Sequence, residues 1–342
     1  MFDRAEEMRD FSGDGLFIGR SASVRRVSEL VDRVKDLGAP VLVTGESGTG
    51  KELVARAVHF RGARKLAPFV AVNGGAIPDH LLESELFGHA RGSFTGAVRD
   101  KPGLIEEAAG GTFFLDEVGD LGPPLQAKLL RVLQDKEIRR VGENRMRRVD
   151  VRFISATHKM LEREIREGRF LEDLYYRLWI LTIEIPPLRE RREDVEPLLD
   201  HFTEQYGREL RGGRFVFSAQ ALELLHAYPW PGNVRELQNE IQRCLILCGE
   251  ERVVRPEHLS PRISAPAGSV PSPEAARAAA DNFFEAKAEF VKRFLRQALL
   301  RCEYNKARTA EEIGMSRQAL FKLMKKHKIQ VPAVRPPEVR LD

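Results

Sequence analysis

The apolar positions in the first half of the chain fall into short runs that are separated by stretches with helical spacing. The run "PVLVTG" enters a glycine-rich loop, and "KELVARAVHF" after it has the spacing of an amphipathic helix. Three further runs have the composition of buried strands, namely "PFVAVN", "GTFFLDEV" and "VDVRFISATH". Strands that alternate with helices predict an α/β fold with a parallel sheet that is covered on both faces.

The pattern changes beyond about Arg189, where the strand signal stops. The segments "EDVEPLLDHFTEQYGREL", "SAQALELLHAY" and "NVRELQNEIQRCLILC" have helical spacing and predict a helical subdomain. Further on, "NFFEAKAEFVKRFLRQALLRC" predicts a long amphipathic helix, and two shorter helices are expected around Gly314. The chain therefore combines an α/β core, a helical subdomain and a small all-α domain.

A proline-rich stretch separates the large N-terminal part of the chain from the small C-terminal part. Residues 256–273 contain five prolines and four serines, a composition typical of an extended linker. The predicted division is an N-terminal segment (1–17), an α/β core (18–188), a helical subdomain (189–259), a linker (260–280), a small helical domain (281–331) and a C-terminal tail (332–342).

Composition narrows the class of protein, with 42% hydrophobic and 31% charged residues as in soluble globular proteins. No apolar run approaches the ~18 residues of a membrane span. Residues 1–20 lack the apolar stretch of a signal peptide, so we expect a cytoplasmic protein without a membrane partner. Cys244, Cys248 and Cys302 form no CxxC pair, which argues against a disulfide framework or a zinc site.

The segment "GESGTGKE" lies between a predicted strand and a predicted helix, which is the context of a phosphate-binding loop. Glycines let backbone N–H groups approach a polyphosphate, and the lysine directs a positive charge at the β and γ phosphates. The last residue is a glutamate, where Ser or Thr would normally hold magnesium. We expect ATP to be bound by Gly45, Glu46, Ser47, Gly48, Thr49, Gly50, Lys51 and Glu52.

An acidic pair supplies the chemistry that the loop lacks. In "GGTFFLDEV", a hydrophobic strand ends at Asp116 and Glu117. Downstream of a phosphate loop, this pattern places Asp116 near Mg²⁺ and Glu117 where it can orient or deprotonate a water. The two motifs together predict ATP hydrolysis with ATP and Mg²⁺ as cofactors.

The segment "GHARGSFTGA" is unusual because it carries an aromatic residue among small residues and glycines. Phe94 in this loop has two interpretations. It can be exposed and dock into an apolar groove of a partner, while the glycines let the loop move. Alternatively it folds back into the core, which would not explain the flanking glycines.

These motifs, with "LQAKLLRVLQDKEIRRVG", "EDLYYRL", "PPLRERREDV" and "YPWPGNVREL", closely resemble the central domain of the bacterial enhancer-binding proteins. Those proteins are AAA+ ATPases that activate sigma-54 RNA polymerase, and the resemblance runs from Ile18 to about Leu259. It implies a homo-oligomer, from a dimer to a hexameric ring, with ATP sites between subunits. It also implies that a loop contacts sigma-54, here formed by Gly92, Ser93, Phe94, Thr95, Gly96 and Ala97, with Ser93 in place of the usual alanine.

Further roles follow from the same resemblance. Asn73 matches the residue that switches the catalytic glutamate between two rotamers. His158 matches the sensor I position, and Arg235 matches the sensor II arginine. Two arginine fingers are usual in the family. Arg177 matches the second finger, but Leu171 stands in place of the first, and Arg169 two residues upstream is a candidate substitute.

The positive charge is concentrated near the C-terminus. Residues 274–342 contain 15 Lys and Arg against 9 Asp and Glu, whereas the rest of the chain has 40 against 42. This excess indicates a polyanionic partner or a solvated surface. The segment "NKARTAEEIGMSRQALFKLMKKHKI" has helix-turn-helix spacing and resembles a Fis-type domain. We expect double-stranded enhancer DNA to be contacted by Arg317, Gln318, Lys322, Lys325 and Lys326.

The motifs together favour an enhancer-bound ATPase that remodels the closed complex of sigma-54 RNA polymerase. Two alternatives stay open, namely another AAA+ machine and a DNA-binding regulator or scaffold whose ATPase is degenerate. Only about 17 residues precede Ile18, too few for a receiver or ligand-sensing domain. Control by a partner protein and truncation of a longer protein are both compatible with that length.

Overall fold

The structure, a computed structural model, describes residues 17–94, 97–209 and 215–264, and in the C-terminal part residues 292, 295, 298–302, 305–312, 320 and 324. The chain divides into two compact units, Met1–Leu259 and Ser260–Asp342. Several predicted contact residues lie outside the described residues: Thr95 and Gly96 in the loop, and Arg317, Gln318, Lys322, Lys325 and Lys326 in the C-terminal unit.

The secondary structure follows the predicted alternation. The strands are β1 (Val41–Thr44), β2 (Phe69–Asn73), β3 (Gly88–His89), β4 (Lys101–Pro102), β5 (Thr112–Asp116), β6 (Glu137–Arg139), β7 (Met146–Arg148), β8 (Arg152–Thr157), β9 (Leu181–Glu184), β10 (Val216–Phe217) and β11 (Val253–Val254). The helices are α1 (Ala22–Val34), α2 (Lys51–Phe60), α3 (Asp79–Phe87), α4 (Leu104–Glu107), α5 (Pro123–Asp135), α6 (Leu161–Arg166), α7 (Glu172–Leu178), α8 (Val195–Glu209), α9 (Ala219–Ala227), α10 (Asn233–Cys248), α11 (Pro261–Ser264) and α12 (Lys306–Glu312).

A five-stranded parallel sheet in the order β2-β5-β8-β1-β9 forms the centre of the first unit. Successive residues of its strands face opposite sides, as the two-residue period of a strand requires. Leu42 and Phe113 pack into one hydrophobic cluster, with α3 and α5, whereas Val43 and Phe114 pack into the other, with α1 and α2. Because both faces are buried, the strands are almost continuously apolar.

The predicted α/β class is confirmed, since the four predicted strands all lie in this parallel sheet. The strand at its β9 edge was not predicted. Its sequence, "LTIE", pairs with β1 in parallel register, and its mixed burial leaves a weaker apolar signal than the central strands have. Part of the predicted linker is not extended: Pro256–His258 forms a 3-10 turn and Pro261–Ser264 a short helix. The apolar side chains of Leu259 and Ile263 are buried in this stretch, which explains why it forms regular structure.

The predicted helical subdomain is present as α8, α9 and α10, and α10 begins and ends at the predicted residues. Cys244 and Cys248 are free thiols buried on α10, as expected of small hydrophobic residues. In the second unit, the side chains of Ala310, Leu320 and Met324 are buried. Among the helices that the structure describes, none is both long and apolar enough to traverse a bilayer.

A buried aspartate fixes the start of the α/β core to the start of the helical subdomain. Asp194 is fully buried, and its Oδ1 accepts hydrogen bonds from the backbone N–H groups of Arg20 (2.7 Å) and Ser21 (2.8 Å). Its Oδ2 accepts the Ser21 hydroxyl at 2.6 Å, and that hydroxyl in turn caps α1 by accepting from Val24 N at 3.1 Å. A Cβ on Gly19 would lie 2.7 Å from the Asp194 carboxyl carbon, so the chain can pass there only as glycine.

Asp194→Ala is expected to lower the free energy of unfolding by about 3 kcal/mol, because two buried donors and one partly buried donor lose a charged hydrogen-bond partner. Asp200→Ala is the matched control, since Asp200 is exposed on α8, and it should change the stability by less than about 0.5 kcal/mol. Chemical denaturation monitored by circular dichroism gives both values. Equal effects of the two substitutions would show that the buried carboxylate does not hold these elements together.

Candidate functional site

Most of the predicted nucleotide-site residues lie at one edge of the central sheet. The loop "GESGTGKE" follows β1, Asp116 ends β5, Asn73 ends β2 and His158 follows β8. These strands are parallel, so their carboxyl ends meet at the same edge, where open α/β sheets bind ligands. The sequence motifs therefore converge in space.

The loop backbone wraps around the buried ammonium group of Lys51. Its Nζ donates hydrogen bonds to the carbonyl oxygens of Gly45 (3.0 Å) and Glu46 (3.3 Å). The Thr49 hydroxyl donates to the same Glu46 carbonyl at 2.8 Å. Helix α2 begins at Lys51, directly after Gly50 in the left-handed conformation with φ 104°. A helix N-terminus behind a glycine-rich turn is a favourable environment for phosphate.

The carboxylate of Asp116 lies in a crowded acidic environment. Asn73 Nδ2 donates to Asp116 Oδ2 at 3.0 Å, and the Glu117 backbone N–H donates to Oδ1 at 3.1 Å. Burial, and then the neighbouring Glu117 carboxylate, raise the pKa of Asp116. The structure therefore brings Asn73 to Asp116, and not to the Glu117 side chain that the family resemblance indicated.

Glu117 is held by two other predicted residues. Its Oε1 lies 3.4 Å from Lys51 Nζ, and its Oε2 lies 2.6 Å from His158 Nδ1 and accepts the His158 backbone N–H at 3.1 Å. The Glu117 backbone is left-handed, with φ 54°, which is uncommon outside glycine. Strained backbone of this kind clusters at functional sites.

The acidic residues fit a magnesium ion that is bound together with a nucleotide. Among the residues that the structure describes, no group of three or more His, Cys, Asp and Glu forms a complete metal cage. Mg²⁺ in phosphate sites needs only one or two carboxylates, because waters and phosphates supply the other ligands. Asp116, whose charge is disfavoured by Glu117 and Glu52, is the carboxylate that a cation would relieve. Glu52 itself forms an ion pair with Arg56 one turn along α2.

The helical subdomain packs directly on the loop. The Arg235 guanidinium donates to the Ser47 hydroxyl at 3.1 Å, and its backbone N–H donates to Gly48 O at 3.3 Å. Arg191, which is buried, donates to the Thr49 carbonyl at 3.1 Å. Sequence reasoning assigned Arg235 but gave no role to Arg189, Arg191 or Asn233, although all three lie in the motifs "PPLRERREDV" and "YPWPGNVREL".

The loop that carries Phe94 stands against the β6–β7 hairpin. The Ala90 N–H donates to Val141 O, and the Gly92 N–H donates to Ala97 O, both at 2.9 Å. The Phe94 side chain is 43% exposed and contacts His89 edge-to-face, with ring centroids 5.0 Å apart. The structure thus favours the exposed interpretation of Phe94 over a place in the core.

Ser93, which replaces the alanine that is usual in this loop, lies where the loop contacts the β6–β7 hairpin. A Cβ on Gly142 would lie 2.5 Å from Ser93 Cβ, so the two chains can approach only because position 142 is glycine. The Ser93 hydroxyl is buried and has no hydrogen-bond partner among the described residues. The close approach to Ser93 therefore depends on Gly142, and the Ser93 hydroxyl adds no hydrogen bond with the described residues.

The two candidate arginine fingers, Arg169 and Arg177, differ in whether their guanidinium groups are held by neighbouring carboxylates. Arg169 donates to both carboxylate oxygens of Glu164, at 2.7 and 2.8 Å, and also pairs with Glu167. These bonds, that with Glu164 first, raise the pKa of the Arg169 guanidinium. Arg177 is exposed on α7 and makes no hydrogen bond or ion pair with any residue that the structure describes. Leu171 packs against the hydrophobic core and cannot act as a finger.

The close packing of the helical subdomain on the loop can be tested at a glycine. Gly48 has φ 80°, and a Cβ there would lie 2.3 Å from Gly232 O. Gly110 has φ 76° with nothing within 4 Å of an added Cβ, so Gly110→Ala is the matched control. We expect Gly110→Ala to cost about 1 kcal/mol of stability and Gly48→Ala about 2 kcal/mol more, measured by chemical denaturation. Equal losses would contradict the packing.

Comparisons with known proteins agree with this arrangement. Residues 17–184 match the family described as "Sigma-54 interaction domain", residues 189–276 the "AAA+ ATPase lid domain", and residues 288–327 the "Bacterial regulatory protein, Fis family". The sigma54-dependent transcriptional regulator SfnR of Pseudomonas fluorescens is 45% identical over 313 residues, which cover 88% of this chain and 85% of SfnR.

Two further relatives extend the comparison. The hydrogenase transcriptional regulatory protein HoxA of Cupriavidus necator is 46% identical over 86% of this chain, which spans 61% of the length of HoxA. The crystal structure of NtrX from Brucella abortus in complex with ATP superimposes with a TM-score of 0.69 at 36% identity, over 92% of this chain and 70% of NtrX. On the sequence motifs, the parallel α/β core and these matches, the chain belongs to the family of sigma-54-dependent transcriptional regulators, with AAA+ and Fis-type helix-turn-helix domains.

Proposed function

We propose that this protein hydrolyses ATP and uses the energy to remodel the closed complex of sigma-54 RNA polymerase into an open one. The observation that carries the proposal is the Glu117 carboxylate at the sheet edge, which contacts Lys51 through one oxygen and His158 through the other. A phosphate-binding cation, a carboxylate and a polar sensor within one contact network are the groups that phosphoryl transfer to water requires.

In this mechanism the loop backbone and Lys51 bind the β and γ phosphates of ATP, and Asp116 would hold Mg²⁺. When bound, Mg²⁺ neutralises phosphate charge. Glu117 accepts a proton from the attacking water or orients it. His158, whose ring and backbone N–H both reach Glu117, links this carboxylate to the end of β8. Lys51 must leave its contacts with the loop carbonyls to follow the phosphates.

Asn73 is proposed to hold one of two states of the acidic pair. Its amide bonds Asp116, and its Oδ1 accepts the Gly75 N–H at 2.9 Å, which fixes the side chain. If the Asn73 amide donated its hydrogen bond to Glu117 instead of Asp116, the Glu117 carboxylate would be held and the Asp116 carboxylate released. This contact links the nucleotide site to the loop after β2, which leads to α3 and on to the Phe94 loop.

The segment Gly92, Ser93, Phe94, Thr95, Gly96 and Ala97 is proposed to contact sigma-54. Phe94 presents apolar surface beyond its contact with His89, and aromatic side chains of this kind dominate the energetics of many interfaces. The base of the loop is fixed by backbone hydrogen bonds to the hairpin. Movement of that base would therefore move the aromatic tip.

Assembly and DNA binding complete the proposal. Subunits form a ring, a hexamer by family likeness, in which the free guanidinium of Arg177 reaches the neighbouring ATP site. The Fis-type domain tethers this ring to double-stranded enhancer DNA through Arg317 and Gln318 at the bases and Lys322, Lys325 and Lys326 at the phosphates.

One observation favours a second candidate function. Arg169 is held by Glu164 and Glu167 of its own subunit, so its reach toward a neighbour requires the loss of two ion pairs. A ring with one finger per site would be a weak ATPase, and the protein would then act as a DNA-binding regulator or scaffold.

Glu117→Gln is expected to lower ATP turnover at least about 100-fold while ATP binding persists, because the amide cannot accept the proton. Steady-state ATPase assays and an ATP-binding titration measure the two properties.

The wild-type protein should bind sigma-54 when ADP and a transition-state phosphate analogue are present. Phe94→Ala should weaken that binding about 30-fold without loss of turnover, whereas Val98→Ala, at an exposed position close to it, should not. A wild-type protein that turns over ATP but never binds sigma-54 would contradict the proposal.

The finger assignment predicts different results for the two arginines. Arg177→Ala should lower turnover about 1000-fold, and mixing it with the Glu117→Gln protein should restore part of the activity, because mixed rings contain intact sites. Arg169→Ala should lower turnover only if it replaces the missing finger. Steady-state ATPase assays decide this: unchanged turnover of Arg169→Ala excludes the substitution and leaves Arg177 as the finger.

A further inference from the structure

Residues 46–48 of the phosphate-binding loop all contact the helical subdomain. Ser47 and Gly48 do so through a hydroxyl and a carbonyl, which accept hydrogen bonds from Arg235 at 3.1 and 3.3 Å. Glu46 does so through a charged side chain. A carboxylate in this loop is unexpected, because it repels the polyphosphate that the loop is built to bind.

The Glu46 carboxylate bridges two distant parts of the helical subdomain. Arg189, where the subdomain begins, donates to both of its oxygens at 2.8 and 2.7 Å, in the two-pronged geometry that gives the strongest pairs. Asn233, the first residue of α10, donates to the same group at 3.1 Å. The bonds from Arg189 and then Asn233 lower the pKa of Glu46 to about 2, so the group is ionised at physiological pH.

Asn233 is suited to this position for reasons of backbone and side chain. It is fully buried with φ 53°, a left-handed conformation that asparagine tolerates better than most residues. Its Oδ1 accepts the Leu188 N–H at 2.8 Å, and its Nδ2 donates to Ser47 O at 3.0 Å as well as to Glu46. Both polar atoms are therefore used, and the start of α10 is fixed to the loop.

Arg235 lies two residues beyond Asn233, in the first turn of α10. Its direction toward Ser47 depends on where that turn begins, and Asn233 sets the beginning. We propose that Glu46 is a positioning residue, which holds Arg189 and Asn233 so that Arg235 is directed over the phosphate-binding loop. This inference rests on the proposed ATP binding of the same loop.

The proposal predicts the sign of an effect. If Glu46 influenced ATP only through its charge, Glu46→Gln would remove a repulsion and tighten ATP binding. If Glu46 is a positioning residue, the substitution should instead weaken binding, because glutamine keeps one acceptor oxygen but loses the charge and the second oxygen that Arg189 binds. We expect the ATP dissociation constant to rise about tenfold, as for loss of a charged hydrogen bond. It is measured by titration of a fluorescent ATP analogue into the full-length protein.

Two double variants test whether Glu46 acts through the other residues. Glu46→Gln/Arg189→Gln should bind ATP as weakly as either single variant. If only charge mattered, the loss of one negative and one positive charge would cancel, and the double variant would bind ATP with wild-type affinity. Glu46→Gln/Arg235→Ala should be no weaker than Arg235→Ala, because the positioned group is already missing. Multiplied losses in either double variant would overturn the proposal, as would unchanged or tighter binding by Glu46→Gln.

The matched control is Glu251→Gln, which removes an exposed carboxylate that pairs with Arg255 in the same subdomain. It should leave both ATP binding and the thermal unfolding midpoint unchanged. Glu46→Gln should keep the midpoint near that of the control, and a large fall would identify a merely structural role and overturn the inference. Absence of ATP binding by the wild-type protein would instead refute the proposed function.

Discussion

The buried ammonium of Lys51 is the group on which the arrangement of the site depends. Its side chain is only 7% exposed, and a charge so far from water must be compensated by nearby acceptors. The carbonyls of Gly45 and Glu46 and the carboxylate of Glu117 provide that compensation. The same contacts bend the loop around the start of α2 and bring the end of β5 to it. Phosphate oxygens are acceptors of the same kind as these carbonyls, so the proposed ATP binding would compete with the loop carbonyls for the Lys51 ammonium.

The phosphate-binding loop is connected to two other parts of the first unit. On one side, residues 46–49 contact the helical subdomain through Arg189, Arg191, Asn233 and Arg235. On the other side, Glu117 and Asp116 connect to Asn73, whose strand leads through α3 to the Phe94 loop. The first connection consists of hydrogen bonds to the start of the helical subdomain and of α10, and the second begins with hydrogen bonds between the carboxyl ends of β2 and β5. A rigid parallel sheet between two hydrophobic clusters gives these contacts a common base.

The motifs of the nucleotide site could be found from the sequence because each has a local physical signature. A glycine-rich turn between a strand and a helix requires no tertiary knowledge, and an acidic pair after an apolar run marks a strand end. The partners of Asn73 and Glu46 could not be found in this way. Asn73 bonds Asp116 across two adjacent strands, and Glu46 bonds Arg189 from 143 residues away. No local pattern encodes such distances.

The sequence by itself determined the α/β class, the central strands, the boundaries of α2 and α10 and the identity of the phosphate-binding loop, because hydrophobic period and turn chemistry are local properties. Tertiary structure decided that Arg169 is held by Glu164 and Glu167, whereas Arg177 has no ion pair within the described part of the chain, and that Glu46 faces the helical subdomain. It also decided that β9 completes the sheet. Such outcomes depend on which charged and polar groups meet after the chain has folded, and side-chain partners are chosen by proximity in space.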